Sequence, residues 1–235
     1  FTLRADLASP DSLRVLPSVA RIVLVSRRGS LANQLARISE MGVAVTLPER
    51  RQANLDTGRA ASADALPPLD FYNGWGGFTA DGREYVTALD ASRPTPAPWI
   101  NVIANSAFGF QCSADGGGYT WSGNSRENQI TPWSNDAVSN PPGEVIYVSD
   151  DDSGDILSPT MKPMNSPAGT HVARHGFGYS MFEREANGLK LELMQTAHLS
   201  DAVKFSRLRI TNRTRARRGL TVTFYAEWAL GASRA

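Results

Sequence analysis

The sequence predicts an all-β protein: a large antiparallel β-sandwich behind a short N-terminal segment that mixes helical and extended signals. Three observations carry this. Leu220, Val222, Phe224, Ala226, Trp228 and Leu230 alternate with Thr221, Thr223, Tyr225 and Glu227, the two-residue period of a strand with one face in a core. Short strand-like runs recur between glycine and asparagine turns at antiparallel, meander-like spacings. A length of 235 residues suffices for one such sandwich domain.

In chain order, residues 1–68 form a connecting segment. Ser30 is placed to cap a helix running to Ile38, with Leu31, Leu35 and Ile38 on one face and Gly42 as its stop. Val43, Val45 and Leu47 then alternate as in a strand, and Pro48 to Pro68 is an aperiodic linker rich in Arg, Ala, Asp, Gly and Pro. The chain opens on Phe1 without an initiator Met, and Arg4 and Asp6 interrupt any leader-like apolar run, so a longer parent polypeptide is expected. The sandwich domain is expected over residues 69–235. Asp81-Gly82, between Phe71–Phe78 and Glu84–Leu89, signals a hairpin. Pro94, Pro96 and Pro98 force an extended connection into a strand at Trp99–Ile103, and Phe108–Ser113 follows as another. Leu189, Leu191 and Leu193 alternate after the turn Ala186-Asn187-Gly188; Val203 and Phe205 do the same before a phase shift to Leu208 and Ile210, which suggests a bulge.

Composition narrows the function classes. The formal net charge of +1 gives no overall field for nucleic acid or a membrane surface. No run of about twenty apolar residues exists to span a bilayer. Cys112 is the only cysteine, so no intrachain disulfide forms; a buried, inert thiol and a reducing, cytoplasmic compartment are expected.

The stretch Gly117–Trp133 is the strongest candidate site. It holds Trp121, Asn124, Arg126, Glu127, Asn128, Gln129 and Trp133 between a glycine run and a proline. Flat aromatic faces suit the C–H patches of a pyranose, and the polar side chains suit its hydroxyls. As a core the same set is poor, because each buried unpaired polar group costs about 1–3 kcal/mol. The dull alternative pairs Arg126 with Glu127 or with a neighbouring domain and buries both tryptophans.

Other constellations carry less. Asp150-Asp151-Asp152-Ser153-Gly154-Asp155 fails the calcium-loop pattern, since its glycine is one position early and Met161 stands where the closing glutamate belongs; a solvated hairpin turn is the better reading. His171 and His175 share a strand face and could join His198 at a metal, but no carboxylate or thiol completes a ligand spacing, so no metal or other cofactor is expected. Arg207, Arg209, Arg213, Arg215, Arg217 and Arg218 lack interleaved aromatics, which favours a solvated hairpin or a face toward an acidic neighbour over nucleic acid. Asp115-Gly116-Gly117-Gly118 lacks the lysine and helix of a phosphate loop.

Pro98-Trp99-Ile100-Asn101-Val102-Ile103-Ala104-Asn105, Phe108-Gly109-Phe110, Gly118-Tyr119-Thr120-Trp121-Ser122, Asn124-Ser125-Arg126-Glu127-Asn128 and Thr131-Pro132-Trp133-Ser134-Asn135-Asp136 together resemble glycoside hydrolase family 94, formerly glycosyltransferase family 36. Pro142-Gly143-Glu144, Asp152-Ser153-Gly154 and Ser158-Pro159-Thr160 extend the match, which covers about Leu69 to Trp228. Within that family it is most similar to the phosphorylase-type module of the cyclic β-1,2-glucan synthases. The resemblance implies a galactose-mutarotase-like supersandwich that precedes a linker and a helical barrel. It further implies inverting phosphorolysis of β-glucosides or the reverse synthesis, with a barrel Asp as general acid and inorganic phosphate as co-substrate. No catalytic residue is therefore expected in this chain. The sandwich would contact a β-glucan oligosaccharide, the barrel and a second subunit, with Arg126 and Glu127 at the site rim, Trp121 or Trp133 as stacking face, and a parent that could be anchored in the inner membrane. Two alternatives stand: a free-standing carbohydrate-binding module, and a mutarotase-like epimerase, which requires the three histidines to cluster around a pocket with a glutamate.

Overall fold

The computed structural model describes residues 29, 30, 32–34, 66–89, 93–166 and 169–232. The chain divides into two compact units, Phe1–Arg50 and Arg51–Ala235. In the first, residues 32–34 are helical and the Ser30 hydroxyl accepts the Asn33 N–H at 3.3 Å, as a cap should. The rest of that expected helix, the Val43–Leu47 strand and nearly all of the linker lie outside the described residues.

The described residues of the second unit are all-β, with antiparallel pairing throughout. Its strands are β1 (Gly76–Phe78), β2 (Glu84–Leu89), β3 (Ile100–Ala104), β4 (Phe108–Ser113), β5 (Gly118–Ser122), β6 (Glu144–Asp150), β7 (Ile156–Leu157), β8 (His171–Gly176), β9 (Tyr179–Ala186), β10 (Leu189–Ala197), β11 (Lys204–Asn212) and β12 (Leu220–Ala226). They form a six-stranded sheet in the order β1-β2-β8-β9-β10-β11 and two three-stranded sheets, β12-β6-β7 and β3-β4-β5. One core joins all three, with Leu89, Phe182 and Leu193 of the large sheet packed with Phe110 and Ile103 of one small sheet and Ile146 of the other. A second cluster sets Leu189 and Leu191 against Val148 and Leu157.

Local chemistry explains the hairpins. Asn187 and Gly188 connect β9 to β10 in two residues, both at positive φ (50° and 73°), the conformation an Asn-Gly turn supplies at least strain. Leu189, Leu191 and Leu193 then face inward at 1–2% exposure, as their alternation predicts.

Two expectations are corrected. The β10–β11 register runs without interruption from Leu189↔Asn212 to Ala197↔Lys204, so no bulge separates Phe205 from Leu208. Lys204, Leu208 and Ile210 are partly buried on the inward face and Phe205 lies on the other, 48% exposed; the period is broken because Lys204 turns inward to an ion partner. The alternation of β12 is a strand, paired to β6, yet its expected buried face is open: Val222 and Phe224 are 52% and 58% exposed. β12 forms the edge of its sheet, and Trp228 and Leu230 beyond it are also exposed.

Candidate functional site

The candidate stretch begins as strand. β5 turns Tyr119 and Thr120 into the interior and leaves Trp121 half-buried across from Gly109. Gly109 is required there: a Cβ would lie 2.6 Å from Trp121 Cζ2, in space the indole occupies. Trp121 leans on Tyr119 with ring centroids 5.2 Å apart and 42° between planes.

Beyond β5 the chain closes on itself. Asn124 Oδ1 accepts the N–H groups of Arg126 and Glu127, each at 2.9 Å, and its carbonyl accepts the Asn128 N–H at 3.0 Å. This Asx turn aims Arg126 and Glu127 outward, where they pair at 3.2 Å with side chains 89% and 62% exposed. Asn124 and Asn128 are exposed as well. Gln129 is different. It is 6% exposed, exchanges backbone hydrogen bonds with Gly231 at 2.9 and 3.1 Å, and its Oε1 accepts the Trp133 N–H at 3.0 Å. Gln129 thus holds Trp133 in place instead of facing outward with its neighbours. Trp133 is 49% exposed and stacks on Tyr119 at 5.7 Å and 14°. One indole face rests on a phenol ring, and the side chain keeps half its surface in solvent.

Beneath this surface lies a charged anchor that the sequence pattern did not reveal. Glu144, first residue of β6, accepts the hydroxyls of Thr120 and Thr131 on Oε1 at 2.5 and 2.9 Å, and Lys204 Nζ lies 2.7 Å from Oε2. Burial works against the carboxylate's charge, but Lys204 and the two hydroxyls outweigh it and hold its pKa below the ordinary value. Lys204 also sits 4.3 Å from the Phe110 ring centroid. A single carboxylate therefore ties β5, the segment leading to Trp133 and β11 together. Cys112 lies in the adjacent core, where burial pushes its thiol up to about 11, the inert form expected.

The remaining candidates have structural partners. Asp150 accepts the N–H groups of Asp152 and Ser153 at 2.9 and 3.0 Å and pairs with Arg218; Thr221 donates to Asp151 at 2.8 Å and Asn187 to Asp155 at 3.1 Å. The acidic run is a turn between β6 and β7 in which the carboxylates of Asp150, Asp151 and Asp155 have partners. His171 and His175 do share the inward face of β8, beside Arg184 and Ser180 respectively, whereas His198 lies in the β10–β11 connection. The three do not cluster, which removes the geometry an epimerase requires. Among the described residues no three His, Cys, Asp or Glu side chains come close enough to hold a metal ion. Arg207, Arg209, Arg213, Arg215 and Arg217 are exposed along β11 and the connection to β12; that connection is not the expected hairpin, because β11 and β12 belong to different sheets.

The loop surface offers stacking, through Trp133, and hydrogen bonding, through Arg126, Glu127, Asn124 and Asn128. Against known families, the family described as glycosyl hydrolase 94, supersandwich domain, matches residues 83–235. The chain belongs to that family. This supersandwich domain is 43% identical, over its whole length, to the cyclic beta-(1,2)-glucan synthase NdvB of Rhizobium meliloti (strain 1021), and the match covers 8% of that protein. Two N,N'-diacetylchitobiose phosphorylases are similar over 49% of the chain: that of Vibrio proteolyticus at 35% identity and that of Vibrio furnissii at 34%, each match covering 14% of the relative. The chain thus spans a small part of the curated relatives it matches. One relative is named a synthase and two are named phosphorylases, so the domain sits in a family of enzymes.

Proposed function

We propose that this supersandwich domain is the non-catalytic β-sandwich of a β-glucan-active enzyme of the cyclic β-1,2-glucan synthase kind, an inverting phosphorylase or glycosyltransferase. The observation that carries the reading is the 43% identity to the Rhizobium meliloti synthase along the full chain. The surface built from Arg126, Glu127, Asn124, Asn128 and Trp133 would meet the glucan at the rim of an active site completed by a helical-barrel domain of the same polypeptide. Trp133 would stack on a pyranose face; Trp121 and Gln129 would act through it, one by filling the space over Gly109 and the other by fixing its backbone. Inorganic phosphate would enter as co-substrate at the barrel, where the general-acid Asp of the family resides. A parent of this kind would work in the cytoplasm or at the inner membrane.

Incubation of the purified chain with β-1,2-glucan and phosphate tests the catalytic division of labour. No glucose 1-phosphate is expected from this chain, and release is expected from the polypeptide extended through the barrel. Release by the chain alone would overturn the assignment of chemistry to the barrel.

A further inference from the structure

A cleft of about 530 Å³ lies where three connections meet: β3–β4 with Asn105 and Ser106, β8–β9 with Phe177 and Gly178, and β10–β11 with His198 and Leu199. Its frame is fixed by hydrogen bonds. Asn105 Nδ2 donates to the carbonyls of His198 and Asp201 at 2.8 and 2.9 Å, while its Oδ1 accepts the N–H groups of Ala107 and Phe108 at 2.9 and 2.8 Å. Thr196 Oγ1 donates to the Gly178 carbonyl at 2.8 Å. A cleft held this way requires little ordering when a ligand enters.

Its rims are unusual for such connections. Turns favour Gly, Asn, Asp and Ser, yet Phe177 and Leu199 stand there 87% and 94% exposed. Polar chemistry is sparse but directional. His198 Nδ1 is occupied within its own connection, 3.0 Å from the Asp201 N and 3.2 Å from the Asp201 carboxylate, while Nε2 has no hydrogen-bond partner among the described residues. The Ser106 hydroxyl likewise has none among them.

We propose that this cleft is a second carbohydrate-contact site, which takes a short segment of β-glucan with a pyranose C–H face on Phe177 and sugar hydroxyls on His198 Nε2 and Ser106. The proposal rests on the β-glucan reading above. An apolar peptide would leave both polar groups unpaired on burial, whereas a sugar satisfies them and still covers the aromatic face. The volume falls within the roughly 300–1,000 Å³ of small-ligand pockets.

The test is an amide NMR titration of the ¹⁵N-labelled chain with linear β-1,2-gluco-oligosaccharides. Saturable shifts are expected at Ser106, Gly178 and Leu199, in the parent and in Trp133→Ala alike. Phe177→Ala should weaken them about tenfold, the effect of losing one stacking ring, and Phe177→Trp should retain them. Shifts confined to the Trp133 loop would overturn the second site and leave the loop reading standing. No shift anywhere would sink both. Shifts that follow protein concentration instead of sugar would make the cleft a contact between copies, and the proposal would be wrong.

Discussion

Glu144 carries more of the architecture than its place next to Gly143 suggests. Its side chain and that of Lys204 are 13% and 15% exposed, so removing the carboxylate strands a buried ammonium and two hydroxyls. Glu144→Ala is expected to lower unfolding free energy by about 3 kcal/mol, read from urea denaturation. The inward histidines make a second residue-scale prediction. Burial, aided by the Arg184 charge, lowers His171 from 6.5 to about 3, partly opposed by the Pro159 carbonyl; burial lowers His175 to about 4. The native state disfavours their charged forms, so the unfolded chain binds more protons below pH 6.5. Their contribution is complete above that value and falls as pH drops toward the folded values. Between pH 7 and pH 5 each should cost about 2 kcal/mol of stability. His171→Gln should flatten the pH dependence of the urea midpoint by its share. These roles were hidden in the sequence, because nothing in a lone Glu or His states whether its partner is solvent, a lysine distant in sequence or the core.

At the scale of elements, strands were readable wherever alternation met a recognisable turn. The β1–β2 and β9–β10 hairpins follow from Asp81-Gly82 and Asn187-Gly188, and the inward leucines of β10 from their period. Two failures share one cause. Lys204 on an inward face and Val222 and Phe224 on an open one both break the equation of apolar with buried, and only the three-dimensional neighbours decide such cases. The site stretch opens with β5, whose Tyr119 is the platform under Trp133. Close packing at Gly109 gives a direct check. Gly109→Ala should displace the Trp121 ring, cost about 1–3 kcal/mol and change the near-ultraviolet circular dichroism of the tryptophans.

For the whole molecule, the sandwich architecture and the family could be read from the sequence, whereas the division of labour within the site could not. Arg126, Glu127, Asn124 and Asn128 are exposed in one turn and Trp133 is half-exposed on Tyr119, whereas Gln129 is buried and holds the Trp133 backbone. The β12 edge adds a molecular property. Its free side presents Val222, Phe224 and Tyr225 without a lysine or proline to block pairing. This chain by itself is expected to self-associate with rising concentration in sedimentation velocity, and Phe224→Lys to suppress it. The central claim, that the Asn124–Trp133 surface faces the glucan, is tested most directly by tryptophan fluorescence during titration with linear β-1,2-gluco-oligosaccharides. Saturable quenching that disappears in Trp133→Ala and weakens in Arg126→Ala, with the fold intact, is the predicted result. Quenching unchanged in Trp133→Ala, or none at millimolar sugar, would contradict it.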